Sequence, residues 1–546
     1  MRVRLLTGMV MLLLIAAPAP LRAEDAKNTK PGVVARIRPI GELLEDIKFL
    51  AKVNQLGDQG DQLEGIVKAK VGDKGLEGID MKRPLGLYGD IGAAGIDSTV
   101  VVLVPVTDEK AILALLENVN IKADKGENDV YTIQIEKVPV PVPVYLKFAN
   151  KYAYITLQDK SALDNDKMLK PGDVFPEGKA PALSVTARID QIPDGLKKIF
   201  LAQVEMGVAK EKNKKQPNET KEQEAVRLQA MDQALNGINS FVKDGGPVSI
   251  EVDVDRKTED LSLQVSFAGK PHSELAKAIA NLGSIKSLFA GLHQANSAVS
   301  GSVYSLLPEK VRQTFGPMAV DALKEHLKKE KNDEIRKHAE ALIDALAPSI
   351  KAGELDLGVD LRGPTESKHY TLIGGIKLKD GANVEKAARV LFNDIPEQVR
   401  SAIKLDVAKV GQTSIHQVDP GKEMDAEARK IFGDGPIFLA IRDDALLFAF
   451  GEKAQDALKE AIALTPKTGK PFSLEVSLAR LAPLLANTKA NPEYAKQLEK
   501  AATEDKDGLK ISASIEGGDA LRIRLSTKAK TLFFLVPRAA KREARK

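Results

Sequence analysis

The sequence of 546 residues contains no cysteine and no tryptophan, and aromatic residues make up only 4% of it. Without thiols the chain can form neither a disulfide nor a cysteine-ligated zinc site, so its stability must come from packing. Sugar-binding clefts and single-strand nucleic-acid platforms usually stack their ligands on aromatic rings. The scarcity of aromatic residues therefore argues against both of these functions.

A large excess of charge of one sign is also missing. The 80 basic side chains are nearly balanced by 76 acidic ones, which leaves a formal net charge of +4. Nucleic-acid binding would require basic charge concentrated on one face. We therefore predict no nucleic-acid partner. The length exceeds what a single hydrophobic core supports and predicts several domains.

Familiar catalytic and cofactor motifs do not occur: the sequence has no HExxH, Walker A, GxGxxG, EF-hand or GxSxG pattern. His326 and His338 are assigned to one helical run, Met318 to Leu346, on which twelve residues turn them about 120° apart and prevent a shared metal. Ser414 and His416 lie on one predicted strand and face the same side, but no orienting acid can be identified for a serine hydrolase. We predict no catalytic residue, no cofactor and no metal site.

The N-terminus has the features of an export signal. Two arginines precede a short apolar run, Leu5 to Ala17, and the small residue Ala23 marks the predicted cleavage site. The run is shorter than the roughly 20 residues that cross a bilayer. We expect residues 1–23 to be a signal peptide and residues 24–32 a linker. The mature protein is then periplasmic or secreted, without a transmembrane anchor.

Two stretches of the chain, residues 33–268 and 296–527, run through the same order of predicted elements. Each has a helical opening, a strand, a helix and a β-meander, followed by an alternating strand, more helix and a closing hairpin. The repetition predicts two tandem modules of similar fold. Residues 269–295 are expected to form a helical connector, and residues 528–546 an apolar and basic C-terminal tail.

Several predicted strands alternate apolar with polar residues. Apolar side chains at positions 183, 185 and 187 alternate with Ser184, Thr186 and Arg188, and on a later strand Glu251, Asp253 and Asp255 are assigned to the solvent-facing side. The interspersed helices would cover the opposite, apolar side. We therefore predict an α+β fold in which each module has a largely antiparallel sheet covered by helices.

A run of alternating valine and proline, Val138 to Val144, interrupts the first predicted meander. Proline at every second position removes the backbone donors on one side of a strand. The run is therefore interpreted as a blunted edge or a polyproline-like crossover, with a proline-rich docking peptide as the functional alternative.

The C-terminus combines an apolar run, Leu532 to Val536, with a basic tail. Five apolar residues cannot span a bilayer. They can lie on an anionic surface or on a partner, and the candidate contact residues are Phe533, Phe534, Arg538, Lys541 and Arg542. The alternative is a final packed strand followed by a frayed basic end.

One stretch carries a resemblance to known sequences. GIDMKRPLGLYG, residues 78–89, stands ahead of a strand, a helix and a meander, and the chain begins with a signal peptide. This arrangement resembles uncharacterised exported bacterial proteins of the planctomycete type. The resemblance covers the first module best and the second only through the repeat. Its motifs are structural, and it implies no activity for any residue.

These observations predict an exported, non-enzymatic protein that binds or scaffolds a component of the bacterial cell envelope, either a lipid or a protein. The abundant aliphatic strand faces favour an apolar groove for lipid or a peptide segment. Two alternatives remain open. A hydrolase using paired carboxylates would need two buried acids that converge in a cleft with perturbed pKa values. A purely structural envelope protein would associate with itself and need no ligand.

Overall fold

The structure is a computed structural model of the chain. It describes residues 30–54, 76–93, 98–118, 121–134, 143–175, 178, 180–214, 216, 219–421, 424–486, 492–505 and 508–535. The predicted signal peptide, most of the predicted linker and of the valine–proline run, and the basic residues Arg538, Lys541 and Arg542 lie outside these ranges. Among the described residues, no helix combines the length and the apolar character that crossing a bilayer requires.

The chain divides into two compact units. The first comprises residues 1–214 and 234–277, and the second residues 215–233 and 278–546. The segment predicted to be a helical connector, residues 269–295, contains one helix, Glu274–Leu282. Beyond that helix the segment joins the core of the second unit, where Leu288 and Phe289 are almost completely buried.

Within the described residues of the first unit, ten antiparallel strands form the sheet. They are β1 (Val33–Ile37), β2 (Leu85–Asp90), β3 (Thr99–Pro105), β4 (Lys122–Lys125), β5 (Val130–Gln134), β6 (Val144–Ala149), β7 (Tyr152–Leu157), β8 (Leu183–Arg188), β9 (Gly245–Asp255) and β10 (Asp260–Gly269). Their order across the sheet is β4-β5-β6-β7-β3-β2-β1-β8-β9-β10.

The second unit contains a minor two-stranded pair and a large antiparallel sheet. The pair is β11 (Lys286–Ser287) with β19 (Lys467–Thr468). The strands of the large sheet are β12 (Ser297–Leu306), β13 (Glu354–Arg362), β14 (Thr371–Lys377), β15 (Ile403–Val410), β16 (Thr413–Val418), β17 (Ile437–Arg442), β18 (Ala445–Gly451), β20 (Phe472–Ser477), β21 (Lys510–Glu516) and β22 (Leu521–Lys528). Their order is β15-β16-β17-β18-β14-β13-β12-β20-β21-β22.

The helices connect these strands. They are α1 (Ile40–Val53), α2 (Glu109–Asn118), α3 (Pro171–Val174), α4 (Asp194–Lys212), α5 (Lys221–Asp244), α6 (Glu274–Leu282), α7 (Glu309–Leu327), α8 (Asp333–Ala352), α9 (Gly381–Asp394), α10 (Glu397–Arg400), α11 (Ala426–Phe432), α12 (Ala454–Ile462), α13 (Leu478–Ala486), α14 (Pro492–Glu504) and α15 (Leu532–Leu535). Helices and antiparallel sheets together confirm the predicted α+β class.

The two sheets have the same strand order, position for position: β4 corresponds to β15, β5 to β16, and so on to β10 and β22. Helices also occur at corresponding connections. A helix follows both β3 and β14, and a pair of helices follows both β8 and β20. The closing hairpins predicted in each half are the pairs β9–β10 and β21–β22.

Helix α8 illustrates how the sequence sets the ends of an element. The side-chain oxygen of Asn332 accepts hydrogen bonds from the N–H groups of Glu334 and Ile335 at 3.0 and 3.2 Å, which satisfies donors of the first turn. Gly353, with φ of 57°, adopts the left-handed conformation that ends the helix. The cap at Asn332 also separates α8 from α7. The single helical run predicted from Met318 to Leu346 is therefore wrong.

The core of the second unit lies between α12, the chain around Phe289, and one side of strands β14 to β18. Its almost fully buried side chains include Phe289, Ile373, Ile415, Leu447 and Leu458. In the first unit, two clusters lie on opposite sides of the sheet. One surrounds Leu103, Tyr154 and Leu163, and the other surrounds Leu146 and Ile112.

Candidate functional site

The second unit presents three rows of mostly apolar side chains on one side of its sheet. Residues that lie directly opposite one another on neighbouring antiparallel strands share a face. The first row crosses six adjacent strands and consists of Ile376, Leu357, Val303, Phe472, Ile515 and Ile523. The second row consists of Gly374, Val359, Gly301, Leu474, Ala513 and Leu525. The third consists of Leu372, Leu361, Val299, Val476, Ile511 and Thr527. We call this surface the apolar face of the second unit.

Part of this apolar face, mainly in its first and second rows, is open to solvent. The side chains of Val359, Ile376, Leu474, Ile523 and Leu525 remain between 36 and 50% exposed. Soluble monomers rarely expose contiguous apolar patches larger than a few hundred Å², and larger patches mark interaction sites. The exposure therefore marks the apolar face as the leading candidate for binding.

The opposite side of the same strands is mostly polar, and its burial is deepest on β13. On β13, Asp356 and Asp360 are completely buried. Asp356 accepts hydrogen bonds from the Ser287 hydroxyl at 2.7 Å and from the Leu288 N–H at 2.8 Å. Arg362 binds Asp360 at 2.9 Å and donates to the Leu292 carbonyl at 3.2 Å. These bonds hold the chain from residue 287 to residue 292 against the polar side.

Burial raises the pKa of both aspartates, because a carboxylate loses hydration when it leaves water. The two residues lie on one strand and are four positions apart, which corresponds to about 13 Å. Each is bound to its own partners. They therefore form two separate anchors of the fold, not a converging carboxylate pair.

The first unit repeats this arrangement. Its corresponding row across six strands is Val102, Leu87, Ala35, Val185, Ile250 and Val265. We call the surface containing this row the apolar face of the first unit. Leu183, Ile250, Val252 and Leu263 on this face are 37 to 46% exposed, whereas Ser184 on the other side is only 4% exposed.

Glu251, Asp253 and Asp255, which the alternation assigns to the solvent-facing side of their strand, are half-buried there. The buried guanidinium of Arg38 binds Asp46 at 2.6 Å and also forms an ion pair with Asp253. Burying charge is tolerated where each charged group is paired and hydrogen-bonded. This pairing lets the polar side of β9 pack against Arg38, whereas Ile250 and Val252 on the other side stay exposed.

A second cluster joins α9 to strands β15 and β16. Arg389 binds Glu385 at 2.6 Å and makes two contacts with Asp406, at 2.7 and 2.9 Å. Asp406 lies in a bulge of β15, and its N–H donates to Nδ1 of His416 at 3.3 Å. Ser414 and His416 share a side of β16, as predicted, and the Ser414 hydroxyl is hydrogen-bonded to Asp406.

This cluster contains the acids that sequence reasoning did not find beside His416, but the hydrogen bonds do not assemble a nucleophile and base. Because Nδ1 accepts the Asp406 N–H, the proton of the neutral ring lies on Nε2, which is 3.6 Å from Glu385. Burial, followed by the positive charge of Arg389, lowers the pKa of His416. The ring therefore tends to stay neutral and has no free lone pair directed at Ser414.

The same cluster offers three metal-type ligands, from Glu385, Asp406 and His416, whose ligand atoms lie within 4.8 Å of one another. The guanidinium of Arg389 already provides a cation between the two carboxylates. Its hydrogen bonds, together with that of Ser414, hold the pKa of Asp406 well below its usual range. The cluster is best described as an ion-pair network that fixes α9 on the sheet.

Of the other histidines, His338 and His293 have ordinary partners. His326 lies in α7, whereas His338 lies in α8 and its Nδ1 contacts Asp394. His293 is hydrogen-bonded to the Ser300 hydroxyl at 2.8 Å. These contacts involve single side chains of neighbouring elements and do not build a shared metal site.

A small cavity of about 110 Å³ lies in the second unit. Its lining residues are Lys368, Tyr370, Lys430, Ile431, Pro483, Leu484 and Glu499. Tyr370 is buried, its hydroxyl donates to the Arg480 carbonyl at 2.7 Å, and burial raises its pKa to about 12. No local pattern in the sequence indicates this cavity, because its lining comes from four separate segments.

The C-terminal candidates have a partly structural role. Phe533 and Phe534 lie in the short helix α15, where a final strand was the alternative expectation, and their rings meet edge to face at 5.1 Å. Phe534 packs against the buried cluster that contains Leu498 and Leu509. The structure thus places one of the two rings beside the core.

Comparison with models of known protein families, with curated proteins and with solved structures finds no match to this chain.

Proposed function

We propose that this protein is a non-enzymatic binding protein whose apolar sheet faces hold the hydrocarbon part of a lipid. The observation that carries the proposal is the reversed burial of β13, together with the exposure of apolar side chains on neighbouring strands of the same face. Leu474 and Val359 are exposed, whereas Asp356 and Asp360 on the other side are completely buried. Covering exposed apolar surface is favourable by roughly 25 cal/mol per Å².

The chemistry of the apolar faces favours a hydrocarbon over a peptide. Within each face, the backbone N–H and C=O groups of the inner strands are used in the antiparallel ladders. A peptide laid on the face would bring its own backbone donors and acceptors and find few partners for them. Hydrocarbon has no such requirement, so its binding needs only packing and the release of water.

We also infer that the two units arose by tandem duplication of one ancestral module. The identical order of ten strands supports this inference, as do the helices at corresponding connections. Export to the periplasm or the cell exterior is the compartment we propose, on the strength of the N-terminal apolar run that follows two arginines.

The proposal can be tested by displacing an apolar fluorescent probe from the full chain. Replacing Ile250 and Leu474 by glutamine in one double variant places a polar group on each apolar face. We expect probe affinity to fall about tenfold, because each substitution removes part of the 1.5–3 kcal/mol that burying such a side chain contributes.

The matched control replaces Ile199 and Val399 by glutamine. These side chains are also apolar, and they are 58 and 53% exposed, but they lie on helices α4 and α10. The control should bind the probe as the wild type does. Equal losses in the two double variants would contradict the proposal. Concentration-dependent sedimentation that disappears only in the first double variant would favour self-association instead.

A further inference from the structure

The cavity of the second unit lies on the same side of the sheet as the apolar face. Tyr370 directly precedes β14, and the alternation of that strand places it on the side of Leu372 and Ile376. Helix α13, which supplies Pro483 and Leu484 to the cavity, also packs beside Val476 and Ile511 of the third row.

Besides Tyr370 and helix α13, helix α11 also lines the cavity. This helix supplies Lys430 and Ile431, and its last residue, Phe432, packs against Phe450 at 4.7 Å between ring centroids. Phe450 lies opposite Leu372, in continuation of the third row. The cavity is therefore located at the end of the apolar face nearest the third row.

The ammonium groups of two lysines place positive charge beside the cavity. Lys368 and Lys430 are exposed, and across the described residues neither lies within ion-pair distance of a carboxylate. Glu499 also lines the cavity and partly offsets their charge. The balance of two cations and one anion favours an anionic group.

The size of the cavity limits what it can hold. Its volume of about 110 Å³ exceeds the space of a single water molecule but is well below the roughly 300 Å³ of the smallest sites for complete small-molecule ligands. It suits a group of a few heavy atoms, such as a carboxylate. The rest of the ligand must then lie elsewhere.

We propose that the second unit binds an anionic amphiphile, with its hydrocarbon chain on the apolar face and its anionic head in the cavity beside Lys368 and Lys430. This inference rests on the proposed function of the apolar face. The strand β14 runs from the cavity end to Ile376 over roughly 20 Å, and beside its buried Gly374 the exposed Val359 of β13 continues the apolar path for an extended chain.

The test compares two probes that share one hydrocarbon chain, oleate and oleyl alcohol, on the full-length protein at pH 8. In the double variant Lys368→Gln with Lys430→Gln, the affinity for oleate should fall about tenfold while the affinity for oleyl alcohol is unchanged. Glu499→Gln should act in the opposite direction and raise the affinity for oleate alone. The matched control replaces Lys404 and Lys409, exposed lysines of β15, by glutamine and should leave both affinities unchanged.

The outcomes separate this inference from the function on which it rests. If oleyl alcohol binds and Leu474→Gln weakens it, but the lysine variant does not discriminate between the probes, the head-group site is wrong and the apolar face remains. If neither probe binds the wild type, both proposals fail. An equal loss of both probes in the lysine variant would also overturn the head-group site.

Discussion

Asp356 acts as an anchor for an apolar segment of chain, although it carries a charge in the interior. Its carboxylate accepts from the Ser287 hydroxyl and the Leu288 N–H, and the segment so held places Phe289 in the core. Burial raises the pKa of Asp356, which measures the cost of keeping the charge there. The hydrogen bonds offset that cost, so the residue should be sensitive to loss of its acceptor and tolerant of loss of its charge.

We therefore expect Asp356→Leu to destabilise the fold by about 1–3 kcal/mol, because the buried Leu288 N–H loses its partner. Asp356→Asn keeps an acceptor and removes the buried charge, so its free energy of unfolding should lie within about 1 kcal/mol of the wild type. Urea unfolding at pH 7 measures both variants. Equal losses would show that the charge, not the acceptor, is what matters.

The pKa of Asp406 is shifted in the opposite direction to that of Asp356, so removing its charge should have the opposite effect on stability. The Arg389 guanidinium and the Ser414 hydroxyl hold its pKa well below the usual range. A depressed carboxyl pKa contributes stability that is present above the unfolded pKa, about 3.9, and is lost as the pH falls through the folded pKa.

Because the Asp406 side chain is 52% exposed, solvent screens its ion pair. We expect Asp406→Asn to cost about 0.5–1 kcal/mol at pH 7, and this difference from the wild type should shrink below pH 4. Urea midpoints measured at pH 7 and at pH 3 check this. A difference that grows at pH 3 would contradict the assigned pairing.

At the scale of elements, the strands show what alternation can and cannot predict. The pattern of Leu183 and Val185 against Ser184 correctly identified which residues share a face, and the closing hairpins were also found. It did not identify which face is covered. That choice depends on contacts such as Arg38 with Asp253, which are 215 positions apart and invisible in local sequence.

The sequence predicted the apolar character of the candidate site but not its position, because the position depends on contacts between distant segments. Aliphatic strand faces suggested an apolar groove, but the exposure of Leu474 and the position of Lys368 and Lys430 depend on packing between distant segments. Similarly, the acids beside His416 come from a helix and from a bulge in the neighbouring strand. No local motif marks such a cluster.

Two glycines on opposite sides of the sheet test the assignment of its faces. A Cβ added to Gly301, on the apolar face, would meet only ordinary contacts at 3.4 and 3.6 Å, whereas one added to Gly358 would lie 2.5 Å from Cβ of Phe289. Gly301→Val should therefore be neutral or stabilising by up to about 1 kcal/mol. Gly358→Val should cost about 1–3 kcal/mol through overpacking.

Thermal or urea unfolding measures the stability of both variants, and probe binding adds a second readout. Gly301→Val adds an apolar side chain to the second row of the apolar face. It should therefore change the affinity of the apolar probe without lowering stability. If Gly301→Val proved the more damaging of the two, the assignment of open and covered faces would be reversed.

At the scale of the whole molecule, the repeated strand order carries a prediction about stoichiometry. Each unit has its own apolar face, with Ile250 exposed in the first and Leu474 in the second. We expect two molecules of apolar ligand per chain by native mass spectrometry. Leu474→Gln alone should weaken binding to the second unit about tenfold and leave mainly one ligand bound when the ligand is limiting. A single ligand per wild-type chain that is weakened in this variant would show that only the second unit binds.

Strands β4 and β15 lie at one edge of the sheet in each unit, and their structure affects how the molecule behaves at high concentration. β4 is four residues long and carries Lys122, Asp124 and Lys125, whereas β15 departs from regular pairing between Lys404 and Ala408. A short, charged or bulged edge strand offers an incoming strand no regular ladder of backbone hydrogen bonds to extend. We therefore expect neither edge strand to act as a template for fibril growth, so the protein can reach high concentration without polymerising through them.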